Sequence, residues 1–390
     1  MASPAEFRAH LDHAASTPPH PEVLAAVPGW IAEHTANPTG QHAAARSAKH
    51  ALEEARERVA ARLGCEPGEV VFTGGGTESD NLAVKGVVRA ARAQGRPDGV
   101  VVSAIEHRAV LGAADRLAAE GSPLAIAPVN PGGVVDLDAL AGLVGPGTAL
   151  VSVMTVNNEV GTRQPIAAVA EVLRARAPQA LLHTDAVQAP SWVGPDAYAA
   201  ADLVSVTGHK VGGLRGTGVL VHRGAAALRP EIEGGGQERG LRAGTPDVVG
   251  ALALALALEI TDDRRAAEGV RLAALRDRLV AGVRATLGDV VLHGDATARV
   301  AGFAPLGVPG VESDALLVVL DRFGVDAAAG SSCASGATEP SHVLTAMGVR
   351  AETARGALRL TLGHTTTEAE VDHLVAVLPR AVAMLRGEAA

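Results

Sequence analysis

From about residue 70 to about residue 223 the chain repeats one pattern, a short β-branched run followed by a helical segment. VVFT precedes ESDNLAVKGVVRAARAQG, GVVVSA precedes HRAVLGAADRLAAEG, and TALVSVM precedes IAAVAEVLRARA; ALLHTDA, ADLVSVTG and GTGVLVHR continue the series. Runs that are apolar at consecutive positions bury both faces, and helices between them supply the crossovers that parallel strands need. The pattern predicts an α/β fold with a mostly parallel sheet sandwiched by helices. Such sheets bind ligands beyond the carboxyl ends of their strands. The polar clusters GGGTESDN, IEHRA, VNNEVG, TDAVQ and TGHKVGG each follow a strand directly, so they should converge on one site.

Beyond about residue 261 the pattern changes to a long Arg/Ala/Leu helix, then VVLHGD, DALLVVLDRFGV and a last helix after LRLTLG. This reads as a smaller α+β unit, and 390 residues suit two such bodies. The expected division is a large unit over 16–262 and a small one made of 1–15 and 263–390. A formal charge of -9 with the two signs interspersed gives no basic stripe, and aromatic residues are only 2% of the chain. Direct nucleic-acid binding, by phosphate contacts or base stacking, is therefore not expected. The most apolar stretch, VVGALALALALEI, is too short to cross a bilayer and reads as a buried helix. The opening MASPAEFRAHLDHAAS lacks a basic start before an apolar run, so a cytoplasmic, membrane-free protein is expected. In that reducing setting the two cysteines, Cys65 and Cys333, should not pair.

Small-molecule chemistry is the better expectation, and lysine usage narrows it. The chain has only Lys49, Lys85 and Lys210; the first two fall in amphipathic helical stretches, while Lys210 sits in the turn TGHKVGG after a strand. A Schiff base needs an amine that can lose its proton, which a guanidinium cannot do at neutral pH. Lys210 is the natural carrier, against the plain alternative of a solvated turn lysine. The run Gly74-Gly75-Gly76-Thr77 between strand and helix allows close backbone approach and offers amides to a phosphate, or else is a tight turn with Thr77 as N-cap. Asp185 ends a buried strand, where a carboxylate needs a partner; a protonated pyridine nitrogen would serve, as would a simple cap or turn. His107 and Asn158 carry the same two readings.

Taken together, TESDNLAVKG, EHRAVL, VNNEVG, HTDAVQ, TGHK, GGGQERGLRAGT, GSSCASGATEPSHVL and LRLTLG occur in the order and approximate spacing of one known group. Nearly end to end, the chain resembles the NifS/IscS-type cysteine desulfurases. The resemblance implies the type I pyridoxal-phosphate transferase fold of class V aminotransferases, working as a homodimer with pyridoxal 5'-phosphate as cofactor. By motif position it implies that Lys210 carries the cofactor as an imine and that His107 stacks on the ring and assists proton transfer. Asp185 would pair with the pyridine nitrogen and Gln188 with the ring hydroxyl. Gly76, Thr77, Thr207 and His209 would hold the phosphate, with Thr245 reaching it from the partner subunit. Asn158 and Arg359, and more remotely Asn37, would bind the substrate carboxylate.

Cys333 decides among relatives on this scaffold. It lies in AAAGSSCASGATEP, a small and polar stretch in which a thiol should be exposed. The resemblance makes it the nucleophile that takes sulfur from L-cysteine as a persulfide, leaving L-alanine, for delivery to an acceptor protein. Cys65, at a helix end before Glu-Pro-Gly, reads as a small half-buried filler. The alternatives are another reaction on the same fold (selenocysteine lyase, transaminase or carbon-sulfur lyase) and a non-catalytic sulfur carrier. The variant segments NPTGQH and VGGLR depart from the family pattern, the first weakening the case for Asn37.

Overall fold

The computed structural model describes residues 7–224, 227–330 and 340–387. Strand β1 (Ala9–His10) opens the chain, and β2 (Val70–Thr73), β3 (Gly99–Ser103), β4 (Leu124–Ala127), β5 (Thr148–Ser152), β6 (Leu181–Asp185), β7 (Leu203–Thr207) and β8 (Gly218–His222) form one sheet. Its order is β2-β8-β7-β6-β5-β3-β4. β4, β3, β5, β6 and β7 run parallel, and only the pairs β2–β8 and β8–β7 are antiparallel. The expected parallel, helix-covered sheet is what the chain builds. Consecutive valines show why: Val100 and Val102 of β3 pack in one apolar cluster and Val101 in another, on opposite faces.

Helices α1 (Pro21–Glu33), α2 (Ala43–Leu63), α3 (Gly76–Ala93), α4 (Arg108–Ala119), α5 (Leu137–Leu143) and α6 (Ile166–Arg176) flank this sheet. Leu82, Val84 and Val88 of α3 join Val110 and Leu117 of α4 beneath one face. α1, α2 and α6 contribute to the cluster on the other.

Helix α7 (Val248–Thr286) is a single 39-residue helix. Its first half, apolar on every side, is buried with the large sheet; its second half packs Leu272, Leu275, Leu279 and Val283 against a separate cluster. Residue 262, where the sequence pattern changes, lies inside it. The separate cluster belongs to β9 (Val291–Leu292), β10 (Phe303–Gly307) and β12 (Ala357–Thr361), which are antiparallel in the order β12-β10-β9, and to β11 (Val325–Asp326), which pairs with β1. α8 (Ser313–Arg322), α9 (His342–Ala346), α10 (Ala351–Arg355) and α11 (Glu368–Arg386) complete the described chain. No helix among the described residues is long and apolar enough to cross a membrane.

Candidate active site

The carboxyl ends of β2, β6 and β7 open onto a cavity of about 580 Å³. Lys210 reaches it from the short helical turn Gly208–Lys210 that follows β7, and its Nζ donates to the carbonyls of Ala14 and, at 2.6 Å, Ala15. These two alanines come from LDHAAS, a segment whose part in the site no sequence signal disclosed. Asp185 sits at the last position of β6, buried, with Oδ1 accepting from the Val187 amide at 2.9 Å. Burial pushes its carboxyl up, while His107 and Lys210 pull it down.

His107 serves both of its readings. It caps α4, Nδ1 accepting from the Ala109 amide at 3.1 Å, and its ring also lines the cavity. An acceptor role at Nδ1 leaves the other nitrogen, Nε2, to point elsewhere. Gln188, buried, donates through Nε2 to the Ala14 carbonyl at 2.8 Å. Asn158 lines the cavity, and its carbonyl accepts from Arg359 Nη1 at 3.1 Å. Arg359 is 2% exposed in the middle of β12, paired with Asp12 at 2.7 Å; its Nε meets no acceptor among the described residues. A buried guanidinium with an unused N–H on a cavity wall suits a carboxylate guest.

The glycine run forms the floor of the adjoining cavity. The N-cap of α3 is Gly75, at φ 146°, and no side chain caps the helix, so the expected cap, Thr77, instead stands exposed in the first turn. The α3 amides thus face the cavity with no competing side-chain oxygen. At Gly76 a Cβ would come within 2.6 Å of Val187 Cγ2, so only glycine brings backbone this close. This second cavity, about 620 Å³, shares Gly76, Thr77, Thr207 and His209 with the first and adds Arg215. Thr207 is held by a bond to the Thr217 carbonyl at 2.9 Å, and burial keeps His209 neutral, its pKa lowered to about 4. The residues present fit pyridoxal phosphate: amides, hydroxyls and Arg215 for an anion, an amine for an aldehyde, a buried carboxylate for a pyridinium.

Asn37 is not brought to the cavity. It is exposed, and its Oδ1 accepts from Thr39 in a local turn, the usual preference of an Asx side chain. Thr245 is likewise exposed and outside both cavities of this chain. Its segment is anchored by Glu238, one of two non-glycine residues with positive φ among the described residues, whose carboxylate takes two bonds of 2.8 Å from Arg56 and one of 2.9 Å from the Phe72 amide. Cys333 lies outside the described residues. Cys65 is half-buried behind α2, and burial pushes its thiol up to about 11, the state of an inert filler.

Sequence reading missed the polar layer beneath the site. Asp80, on the first turns of α3, is buried within 4.8 Å of Asp185 and His107, counted between their nearest polar atoms. His183, fully buried on β6, is met by the hydroxyls of Ser152 at 2.8 Å and Ser205 at 3.0 Å. Glu106, also fully buried, accepts from Ser103 Oγ and the Met154 amide, and burial pushes its carboxyl up to about 8. The available signal was period two: Asp185 and His183 occupy alternate positions of one strand and so share a face.

Residues 9–374 match the family described as aminotransferase class-V. The chain is 46% identical over 389 residues to an "IscS-like cysteine desulfurase" of Mycobacterium tuberculosis, covering 97% of each. It is 37% identical to "Cysteine desulfurase IscS" of Clostridium botulinum strain Kyoto, covering 97% of this chain and 95% of that one. A solved structure described as a "NIFS-LIKE PROTEIN" superposes with a TM-score of 0.90 at 32% identity, over 97% of this chain and all of the other.

Proposed function

This chain belongs to the class V aminotransferase family and is a cysteine desulfurase, and from that premise we propose how its own residues share the reaction. The observation that carries the assignment is the convergence of Lys210, Asp185, His107, Asn158 and Arg359 on one cavity beside the uncapped glycine turn. The family depends on pyridoxal phosphate; here Lys210 would hold its aldehyde carbon, Asp185 its pyridine nitrogen and Gln188 its ring hydroxyl. Gly76, Thr77, Thr207 and His209 would hold the phosphate. The bound ring supplies a cationic sink for the electron pair left at Cα when the Cα proton departs.

Arg359 and Asn158 hold the carboxylate of L-cysteine, which fixes Cα near Lys210. Lys210 Nζ, freed when the substrate amine takes its place, accepts the Cα proton. Asp185 keeps its negative charge against the pyridine nitrogen throughout. The Cys333 thiolate then attacks the substrate sulfur: a sulfur–sulfur bond forms, the Cβ–sulfur bond breaks, and its electron pair remains on Cβ. Cβ takes a proton and leaves as L-alanine, while Cys333 holds the sulfur as a persulfide for an acceptor protein. His107, lining the same cavity, is positioned to relay protons.

The same reading makes the protein a cytoplasmic homodimer in which Thr245, exposed in its own chain, completes the phosphate site of the partner. It also divides the chain into a large unit, 16–262, and a small one, 1–15 with 263–390. The split of α7 between two apolar clusters supports that division.

The test is product analysis of the holoenzyme given L-cysteine. Wild type should yield alanine and one added sulfur on the peptide containing Cys333. Cys333→Ser should keep the cofactor and its spectral response to cysteine, with alanine reduced at least ~100-fold. Full alanine production by Cys333→Ser would move the assignment to a lyase that expels sulfur without a protein nucleophile.

A further inference from the structure

We propose that Asp80 is a positioning residue: it holds a proton beside Asp185 and thereby leaves Asp185 as the single anion of the pair at the place of the pyridine nitrogen. The inference rests on the cofactor reading given above.

The pair arises from two elements that meet at the sheet edge. Asp80 is carried on α3 one turn beyond Gly76 and Thr77, is 1% exposed, and faces β6 and β7. Asp185 closes β6 opposite Ser205 in register, and His183, two residues earlier, lies opposite Ser152. Three strands thus present a polar row on one face. Ser205 Oγ meets His183 Nε2 at 3.0 Å, His183 Nδ1 meets Ser152, and the Asp80 carboxyl lies beside this row.

Where the proton rests follows from what each carboxyl sees. Asp185 faces Lys210 and the His107 ring, both of which favour its ionised form, and accepts the Val187 amide. Asp80 faces the acidic Asp185 and Glu106, and its Oδ1 has no hydrogen-bond partner, lying 3.6 Å from His183 Nε2. Burial keeps His183 neutral, so it gives Asp80 no compensating charge. Two carboxylates this close in a dry pocket cannot both stay ionised, and the one without cationic neighbours takes the proton. Burial and Asp185 together raise the Asp80 carboxyl well above its ordinary range. The ionised form of Asp185 is then defended from two sides, by His107 and Lys210 and by a neighbour already neutral.

Infrared spectra of holoenzyme carrying carboxyl-labelled aspartate test the placement directly. At neutral pH the wild type should show one labelled carboxylic-acid stretch, and Asp80→Asn, which keeps the shape of the protonated acid, should lose it. In Asp185→Asn the like-charged neighbour is gone, so the band should titrate away at a pH lower by about one unit or more. Absence of the band from the wild type, its persistence in Asp80→Asn, or an unmoved titration in Asp185→Asn overturns the proposal. Borohydride trapping in the same samples reads the cofactor site separately. An adduct on Lys210 without the Asp80 band defeats only the proton placement; an adduct on another residue defeats the site reading itself.

Discussion

At the edge of the large sheet, Asp185, Thr207 and Lys210 are each placed by the end of a single strand, whereas Arg359 sits mid-strand in β12 and reaches the same cavity through partners far along the chain. Arg359 is held by Asp12, 347 residues away, and its strand pairs with β10 and bridges to Ala328. The histidines behind the two parts of the lining differ in the same way. His183, under the sheet edge, has a serine hydroxyl on each ring nitrogen. His364 meets His13 edge-on and His20 at a tilt where the N-terminal segment meets the loop after β12, and His20 Nδ1 and His364 Nε2 have no hydrogen-bond partner among the described residues. Reaction chemistry is placed by short, local geometry, with Asp80 Oδ1 and Glu106 Oε2 beneath it meeting no hydrogen-bond partner among the described residues. Substrate holding is placed by long-range assembly that leaves some atoms unmet.

The largest expected effect tests the local part. Lys210→Ala should abolish turnover and the borohydride adduct, while Lys49→Ala, on exposed α2 surface, should keep both. Mass spectrometry of the reduced enzyme locates the adduct; finding it on any other residue breaks the division between the two parts.

Arg359→Lys tests the long-range part. A point charge replaces the planar fork, so the carboxylate grip and the Asp12 pair weaken together. Steady-state kinetics should show KM for L-cysteine rising about tenfold, ~1.4 kcal/mol of binding, with a smaller change in kcat. A collapse of kcat at constant KM would mean that Arg359 belongs with the reacting groups.

The smallest effect lies in acid stability. Burial depresses His20 to about 4 from 6.5, so the unfolded chain binds a proton that the folded chain refuses. Its contribution is fully present above pH 6.5 and is lost as pH falls toward 4, at up to about 1.4 kcal/mol per pH unit. His20→Gln should therefore flatten the melting temperature in that window. His183, depressed by burial to about 3, titrates in the same window, but His183→Gln should in addition lower stability above pH 7 by about 1–3 kcal/mol, because Ser152 or Ser205 loses a partner. Calorimetry from pH 4 to 8 separates the two, and equal curves would erase the contrast between a satisfied and an unsatisfied cluster.

Much of the site was legible because its residues follow strands. The consecutive apolar runs predict where β6 and β7 end, and a residue just past such an end must stand at the carboxyl edge, so Asp185 and Lys210 were found without any long-range information. The family resemblance extended this to Arg359 and Gln188, which also line the cavity. It also named Asn37, which in this chain does not, and Thr245, which it assigned to the partner's site.

What only the tertiary structure decided is which side chains face one another across elements. Asp80 reads in sequence as one more polar residue on an amphipathic helix, and Glu106 as part of a turn; both are deeply buried beside Asp185 because α3 and the β3–α4 loop close over the same sheet edge. The N-cap falls at Gly75 rather than Thr77, and the close packing of Gly76 on Val187 is likewise set by elements distant in sequence. Sequence carries strand ends and turn residues because those depend on neighbours a few positions away. Burial of one carboxyl against another depends on helices and strands meeting in space, and no local pattern records that meeting.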